Sequence, residues 1–191
     1  MIIGIFGGSF NPVHTGHAML ANFISQYTEL DEVWFMVSPQ NPLKDNSCFV
    51  SDTDRLNMVD IVCRKIENVK VSDFEFSLPR PSYTINTLEA LQKRYPNDTF
   101  KLIVGSDNLA IFDKWKNSEK IIENFGLIVY PRKGYALSMP VRNSNIKILE
   151  DAPEIEISST FVRAGLKADK NMSYFLPDEV YSYIIKHSLY K

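Results

Sequence analysis

IIGIFGGSFNPVHTGH, residues 2–17, spells a strand, a tight turn and the start of a helix, in that order. Ile2, Ile3, Ile5 and Phe6 form the short apolar run of a strand buried on both faces. Gly7 and Gly8 let the backbone turn sharply and come close to a bound group. Pro12 stiffens the exit, and from about Thr15 the residues Ala18, Met19, Leu20, Phe23 and Ile24 keep a helical spacing. A glycine turn between a strand and a helix N-terminus is an anion-binding corner, because N–H groups lack partners there and the helix dipole is positive. His14 and His17 are two of only three histidines in the chain, and they project from one helical turn toward the same place. The corner is built for phosphate.

The alternation begun here continues. Strand-like runs fall at 2–6, 32–37, 69–72, 100–104 and 126–130, separated by helical patterns near 15–27, 52–66, 84–95 and 108–123. That order predicts a parallel sheet covered on both faces. Residues 131–145 read as loop, a short strand is expected near Glu156–Ile157, a helix starts at Ser159, and a last amphipathic helix opens at Pro177. The expected fold is a single doubly wound, Rossmann-like α/β domain over residues 1–191, with a central parallel sheet and a C-terminal helical segment. Ligands then belong outside the carboxyl ends of the strands.

Composition narrows the partners. A chain of 191 residues with 45% hydrophobic and 23% charged residues suits one soluble globular domain. A net charge of −2 gives no basic footprint for nucleic acid. Cys48 and Cys63 are too few for a disulfide framework and read as reduced thiols of a cytosolic protein. The chain starts on a strand without a basic leader, and no apolar run approaches the roughly 18 residues that span a bilayer. A cytoplasmic location with neither nucleic-acid nor membrane partner is expected, and association of identical subunits stays open.

Several further features converge on the expected sheet edge. Ser38–Lys44, SPQNPLK, is a proline-stiffened loop ending in a lysine, which is either a ligand cation or a solvated surface charge. Ser82, Tyr83 and Thr84 precede a helix and cap it, leaving N–H groups that suit a carboxylate. Gly105, Ser106 and Asp107 close a strand, and Asp107 either accepts from ribose hydroxyls or caps the next helix. Trp115 in DKWKN has polar neighbours, so its ring either stacks on a ligand or covers the domain edge. Finally, ISSTFVR, residues 157–163, places hydroxyls at a helix start and Arg163 four residues after Ser159, a pairing that suits a polyphosphate.

With these residues in hand, the chain resembles the nucleotidyltransferase superfamily marked by HxGH, here His14-Thr15-Gly16-His17. More closely it resembles the bacterial nicotinate-nucleotide adenylyltransferase family, through GGSFNPVHTGH, the proline loop to Lys44, SYTINTL, GSD, the tryptophan segment, ISSTFVR and the closing LY. The family commonly has aspartate where this chain has Asn11 and Asn86, and often histidine at Leu43. The resemblance implies adenylyl transfer from ATP to nicotinate mononucleotide, with magnesium carried by the substrate phosphates. It also implies roles for residues. His14, His17, Lys44 and Arg163 are the expected catalytic charges. Gly7, Gly8, Ser9 and Phe10 join the histidines on ATP, as do Gly105 and Asp107 on its nucleoside side, and Ile157, Ser158, Ser159 and Arg163 on its phosphates. Ser9, Lys44, Tyr83, Thr84 and Trp115 are expected on the nicotinate nucleotide.

Other functions fit less of the chain. A pantetheine-phosphate adenylyltransferase usually has threonine in place of His14 and lacks the SYT segment, and a cytidylyltransferase matches on the corner alone. Class I aminoacyl-tRNA synthetases share the histidine motif but are larger. A zinc site lacks further ligands at suitable spacing. A non-catalytic nucleotide sensor is free to lose the charged set that this chain carries in full.

Overall fold

A computed structural model describes residues 1–39, 50–135 and 143–191. Six parallel strands, β1 (Ile2–Gly8), β2 (Glu32–Val37), β3 (Val69–Ser72), β4 (Thr99–Gly105), β5 (Leu127–Tyr130) and β6 (Ile146–Ile148), lie in the order β3-β2-β1-β4-β5-β6. The strand order reverses between β1 and β4, whose residues Ile2 to Phe6 pair with Thr99 to Ile103. In such a sheet the crevice beyond this reversal is where a ligand binds.

Helices cover both faces, and the sheet separates two apolar clusters. On one face α1 (Thr15–Tyr27) and α2 (Asp52–Cys63) pack on Phe6, Val33 and Phe35, joined by α6 (Ser159–Lys167) and α7 (Asp178–Lys186) through Val162, Val180 and Ile184. On the other, α3 (Thr84–Arg94) contributes Ile85, Leu88 and Leu91, and α5 (Ser118–Asn124) contributes Ile121, against Ile3, Ile5, Leu102 and Leu127. Successive strand residues point to opposite faces, which is why neighbours such as Leu102 and Ile103 are buried in different clusters. A two-sided core explains why the inner strands are largely continuous apolar runs, whereas the edge strands β3 (Val-Lys-Val-Ser) and β6 (Ile-Lys-Ile) alternate.

Three expectations give way. The sixth strand is Ile146–Ile148, paired with β5 through Leu127 and Ile146, whereas Glu156–Ile157 forms no strand. The helix expected over 108–123 is broken into α4 (Ser106–Leu109), a 3-10 turn at Phe112–Lys114 and α5. Trp115 is extended there, with φ −75° and ψ 144°, and Asn117 is left-handed at φ 54°, so the i, i+3 spacing of Leu109, Phe112 and Trp115 comes from separate turns. Pro177 caps the last helix from outside at ψ 140° instead of opening it. No helix among the described residues is long and apolar enough to cross a membrane. Cys63 is a free, buried thiol pushed up to about 12 by its burial, and Cys48 lies outside the described residues.

Candidate active site

The corner after β1 is held from behind. Arg55 of α2 is fully buried and donates to the carbonyl oxygens of Ser9, at 2.6 Å, and Ser38, at 2.8 Å, while pairing with Asp52. One guanidinium thus ties the exits of β1 and β2 together. Phe10 follows at φ 43°, a left-handed conformation that non-glycine residues adopt at a cost. Its ring is buried against Phe6, Phe35 and His17, so only its backbone is left for a ligand.

His14 is the N-cap of α1, and its ring stacks on that of His17 with centroids 3.7 Å apart. The backbone N–H of His14 donates to His17 Nδ1 at 3.2 Å, so His17 carries its proton on Nε2. Gly16 makes this possible: a β-carbon there would lie 3.1 Å from His14 Nδ1 and 3.0 Å from a methyl of Ile155. Burial lowers the pKa of His14 to about 4, helped by the positive charge of Arg132. His17 is lowered well below its ordinary value by burial, then by His14 and Arg132. Both rings are therefore neutral at pH 7, where they act as hydrogen-bond donors without charge.

Two clefts flank the strand reversal. The first lies on the α3 side, measures about 260 Å³, and is walled by Gly7, Gly8 and Ser9, by Gly105, and by Thr84 and Trp115. Tyr83, the N-cap of α3, makes no side-chain cap bond; it is exposed under Lys116, whose Nζ lies 4.3 Å from its ring centroid, and is not part of the cleft wall. The first turn of α3 thus opens with N–H groups that no capping side chain satisfies. Trp115 meets Phe112 with ring centroids 5.0 Å apart and also walls the cleft. The second cleft lies on the α1 side and brings together His14, His17, Asp107, Arg132 and residues Ile157 to Ser159.

The start of α6 is arranged differently from expectation. Ser158 caps α6 by accepting from Phe161 N–H. Ser159 donates to the carbonyl of Pro12 at 2.9 Å. Arg163 donates to the carbonyl of Asn11 at 2.7 Å and to Thr160 Oγ1 at 3.3 Å, and is absent from the walls of both clefts. Lys44, with Asn41 and Leu43, lies outside the described residues.

Sequence reasoning passes over three residues. Arg132, just past β5, walls the histidine cleft, lies 3.9 Å from Asp107 Oδ1 and reaches the carbonyl of Ile155; a basic residue directly after a strand end was its signal. Arg55 occupies an apolar stripe with Met58, Val59 and Val62, a place where a charge needs a purpose. Glu75, 8% exposed between two phenylalanines, accepts from Thr87 Oγ1 at 2.8 Å and walls the first cleft. Its pKa is raised by burial, against the hydroxyls of Thr87 and Ser38.

With this geometry in place, the comparisons are specific. Residues 5–165 match the cytidylyltransferase-like family model. A Bacteroides thetaiotaomicron protein named "Probable nicotinate-nucleotide adenylyltransferase" is 49% identical over 181 residues, covering 95% of this chain and 89% of its own. The chain belongs to the nicotinate-nucleotide adenylyltransferase family. A Flavobacterium johnsoniae member of the same name is 44% identical over the full length of both chains. The fold matches that of a Plasmodium falciparum nicotinic acid mononucleotide adenylyltransferase complexed with NaAD, with a TM-score of 0.81 at 24% identity over 99% of this chain and 97% of that one. Within this family the two clefts acquire chemical meaning.

Proposed function

We infer that this protein transfers the adenylyl group of ATP to nicotinate mononucleotide, giving deamido-NAD and pyrophosphate in NAD biosynthesis. Relatives of that name at 44% and 49% identity support the reaction. One observation carries its assignment to residues: the stacked histidines and the open start of α3 stand on opposite sides of the same strand reversal. ATP takes the α1-side cleft, with its phosphates on His14, His17 and Arg132, and Asp107 toward its nucleoside end. The mononucleotide takes the α3-side cleft, with its ring against Trp115 and its carboxylate at the N–H groups near Thr84. The phosphates meet above Gly7, Gly8 and Ser9.

The attacking phosphate is largely ionised at neutral pH, since its second pKa is about 6. It needs no general base. Catalysis is then alignment of that oxygen with the α-phosphorus and stabilisation of charge on the other oxygens. Neutral histidines suit this: His17 presents Nε2–H in a fixed direction because its Nδ1 is occupied by the backbone. Arg132 supplies positive charge, and Lys44 is assigned the same task. Arg163 acts one step back, holding the Asn11 carbonyl that shapes the corner. Asp107 and Glu156 are the carboxylates of the ATP cleft, a sparse set that suits magnesium, which would arrive on the substrate phosphates and supply charge neutralisation there.

The test is incubation with ATP, magnesium and a panel of phosphorylated acceptors, read by product mass. Deamido-NAD and pyrophosphate appear with nicotinate mononucleotide, while phosphopantetheine gives no adenylylated product. Failure to turn over any acceptor would leave a nucleotide-binding protein that keeps the fold without the reaction.

A further inference from the structure

The segment after α7 reaches back to the phosphate corner at the other end of the chain. Tyr190 Oη donates to Asn11 Oδ1 at 2.8 Å, across 179 residues of sequence. The backbone is bent to achieve this. Ser188 and Tyr190 both sit in the left-handed region, at φ 54° and 64°, and neither is glycine. Strain of that kind persists only where surrounding contacts over-determine it, and it points to a purpose. Here the contacts are the Leu189 N–H bond to Ile184 carbonyl at 3.0 Å and the packing of Leu189 and Tyr190 on the α1-face core.

Asn11 is fully buried and is the residue through which three elements meet. Its side chain receives Tyr190 and, at 3.4 Å, the N–H of Val50, and its own carbonyl receives Arg163. The next carbonyl, of Pro12, receives Ser159. Two residues later the chain becomes His14, the cap of α1 and half of the stacked pair. Burial pushes the pKa of the Tyr190 hydroxyl well above the ordinary phenol range, against the lowering charges of Arg163 and Arg55, so it stays a donor at working pH.

We propose that Tyr190 is a positioning residue for adenylyl transfer: its hydroxyl fixes the Asn11 side chain, and through it the corner that sets the direction of His14 and His17. The strained turn at Ser188 and Tyr190 holds that hydroxyl in place. This rests on assigning the histidine cleft to ATP. It predicts an effect on ATP handling and on turnover that the mononucleotide side does not share, because Thr84 and Trp115 stand on elements the segment does not touch.

Tyr190→Phe keeps the ring and removes only the donor, and Asn11→Ala removes the acceptor. Each is expected to lower kcat at least fivefold and raise the KM for ATP, with the KM for nicotinate mononucleotide within twofold of the parent. The double variant should be no worse than Asn11→Ala alone, because that change already removes the acceptor of the Tyr190 hydroxyl. The NMR titration of His14 in the free enzyme should move in each variant. Unchanged kcat and KM values with only a lower Tm would make the segment a plain structural clasp and overturn the proposal. If His17→Ala leaves ATP handling intact, it is the cleft assignment that fails, whatever Tyr190 does.

Discussion

Replacing His14 by asparagine should flatten the acid dependence of stability. Asparagine is a favoured N-cap, so α1 keeps its start while the titrating ring is lost. In the folded protein His14 titrates near 4, against 6.5 for an ordinary histidine, because burial and Arg132 disfavour its charged form. Between those two values the unfolded chain holds a proton that the folded chain does not, so stability rises with pH across the window and falls on acidification. Neutral His14 therefore costs nothing well above the upper value and draws the chain toward unfolding as pH drops toward the lower one. Integrated from pH 7 to pH 5, this single site removes about 2 kcal/mol of stability. His17 acts in the same direction, and its depression depends partly on His14. Urea unfolding at both pH values measures the effect as a difference between parent and variant, which cancels the titration of carboxylates elsewhere. The parent should lose about 2 kcal/mol more than His14→Asn over that interval. Equal losses in the two proteins would show that His14 is solvated in solution, and the neutral stacked pair would have to be abandoned.

His17→Ala removes a donor fixed toward the phosphates and should cost about 10²-fold in turnover with the fold intact; retention of more than half the parent activity by a well-folded variant would remove it from the site. Trp115→Ala should raise the KM for the mononucleotide far more than that for ATP, by about fivefold if stacking is worth about 1 kcal/mol. A collapse in Tm with both KM values unchanged would confine this ring to the contact with Phe112. Arg55→Met leaves the carbonyls of Ser9 and Ser38 and the carboxylate of Asp52 without their shared partner. It should destabilise by about 3 kcal/mol in urea unfolding, and a loss under about 1 kcal/mol would mean that water replaces the guanidinium easily.

Much of the fold is legible in the chain because its strands are buried on both faces. Runs such as residues 2–6 and 33–37 carry no alternation to confuse them with surface strands, and Gly7-Gly8 marks the first crossover. Ile146-Lys147-Ile148 escapes notice because three residues are too few for a pattern and only pairing with β5 defines them. Glu156 and Ile157 have the composition of a strand but gain no ladder. The same division governs the site. His14, His17, Thr84 and Trp115 are found from local context, since each sits at the end of an element or in a charged neighbourhood. Arg163 is placed by a backbone carbonyl at Asn11, far away in sequence, and Tyr190 is tied to the same residue. Such contacts are set by how α6 and α7 pack on the α1 face, which no local pattern encodes.

The preference for nicotinate over nicotinamide mononucleotide tests the assignment most directly. The start of α3 offers N–H groups without a capping side chain, beside Thr84 and Trp115 on the cleft wall. A carboxylate there gains about 0.3–1 kcal/mol from the helix dipole, up to about 2 when partly buried. Charge-assisted hydrogen bonds add to it, whereas an amide sets NH₂ donors against N–H donors. Measured with ATP and magnesium, kcat/KM should favour nicotinate mononucleotide by about 10²-fold or more. Equal values for the two mononucleotides would mean that the ring is held elsewhere than at α3, and would contradict the substrate assignment even with adenylyl transfer intact.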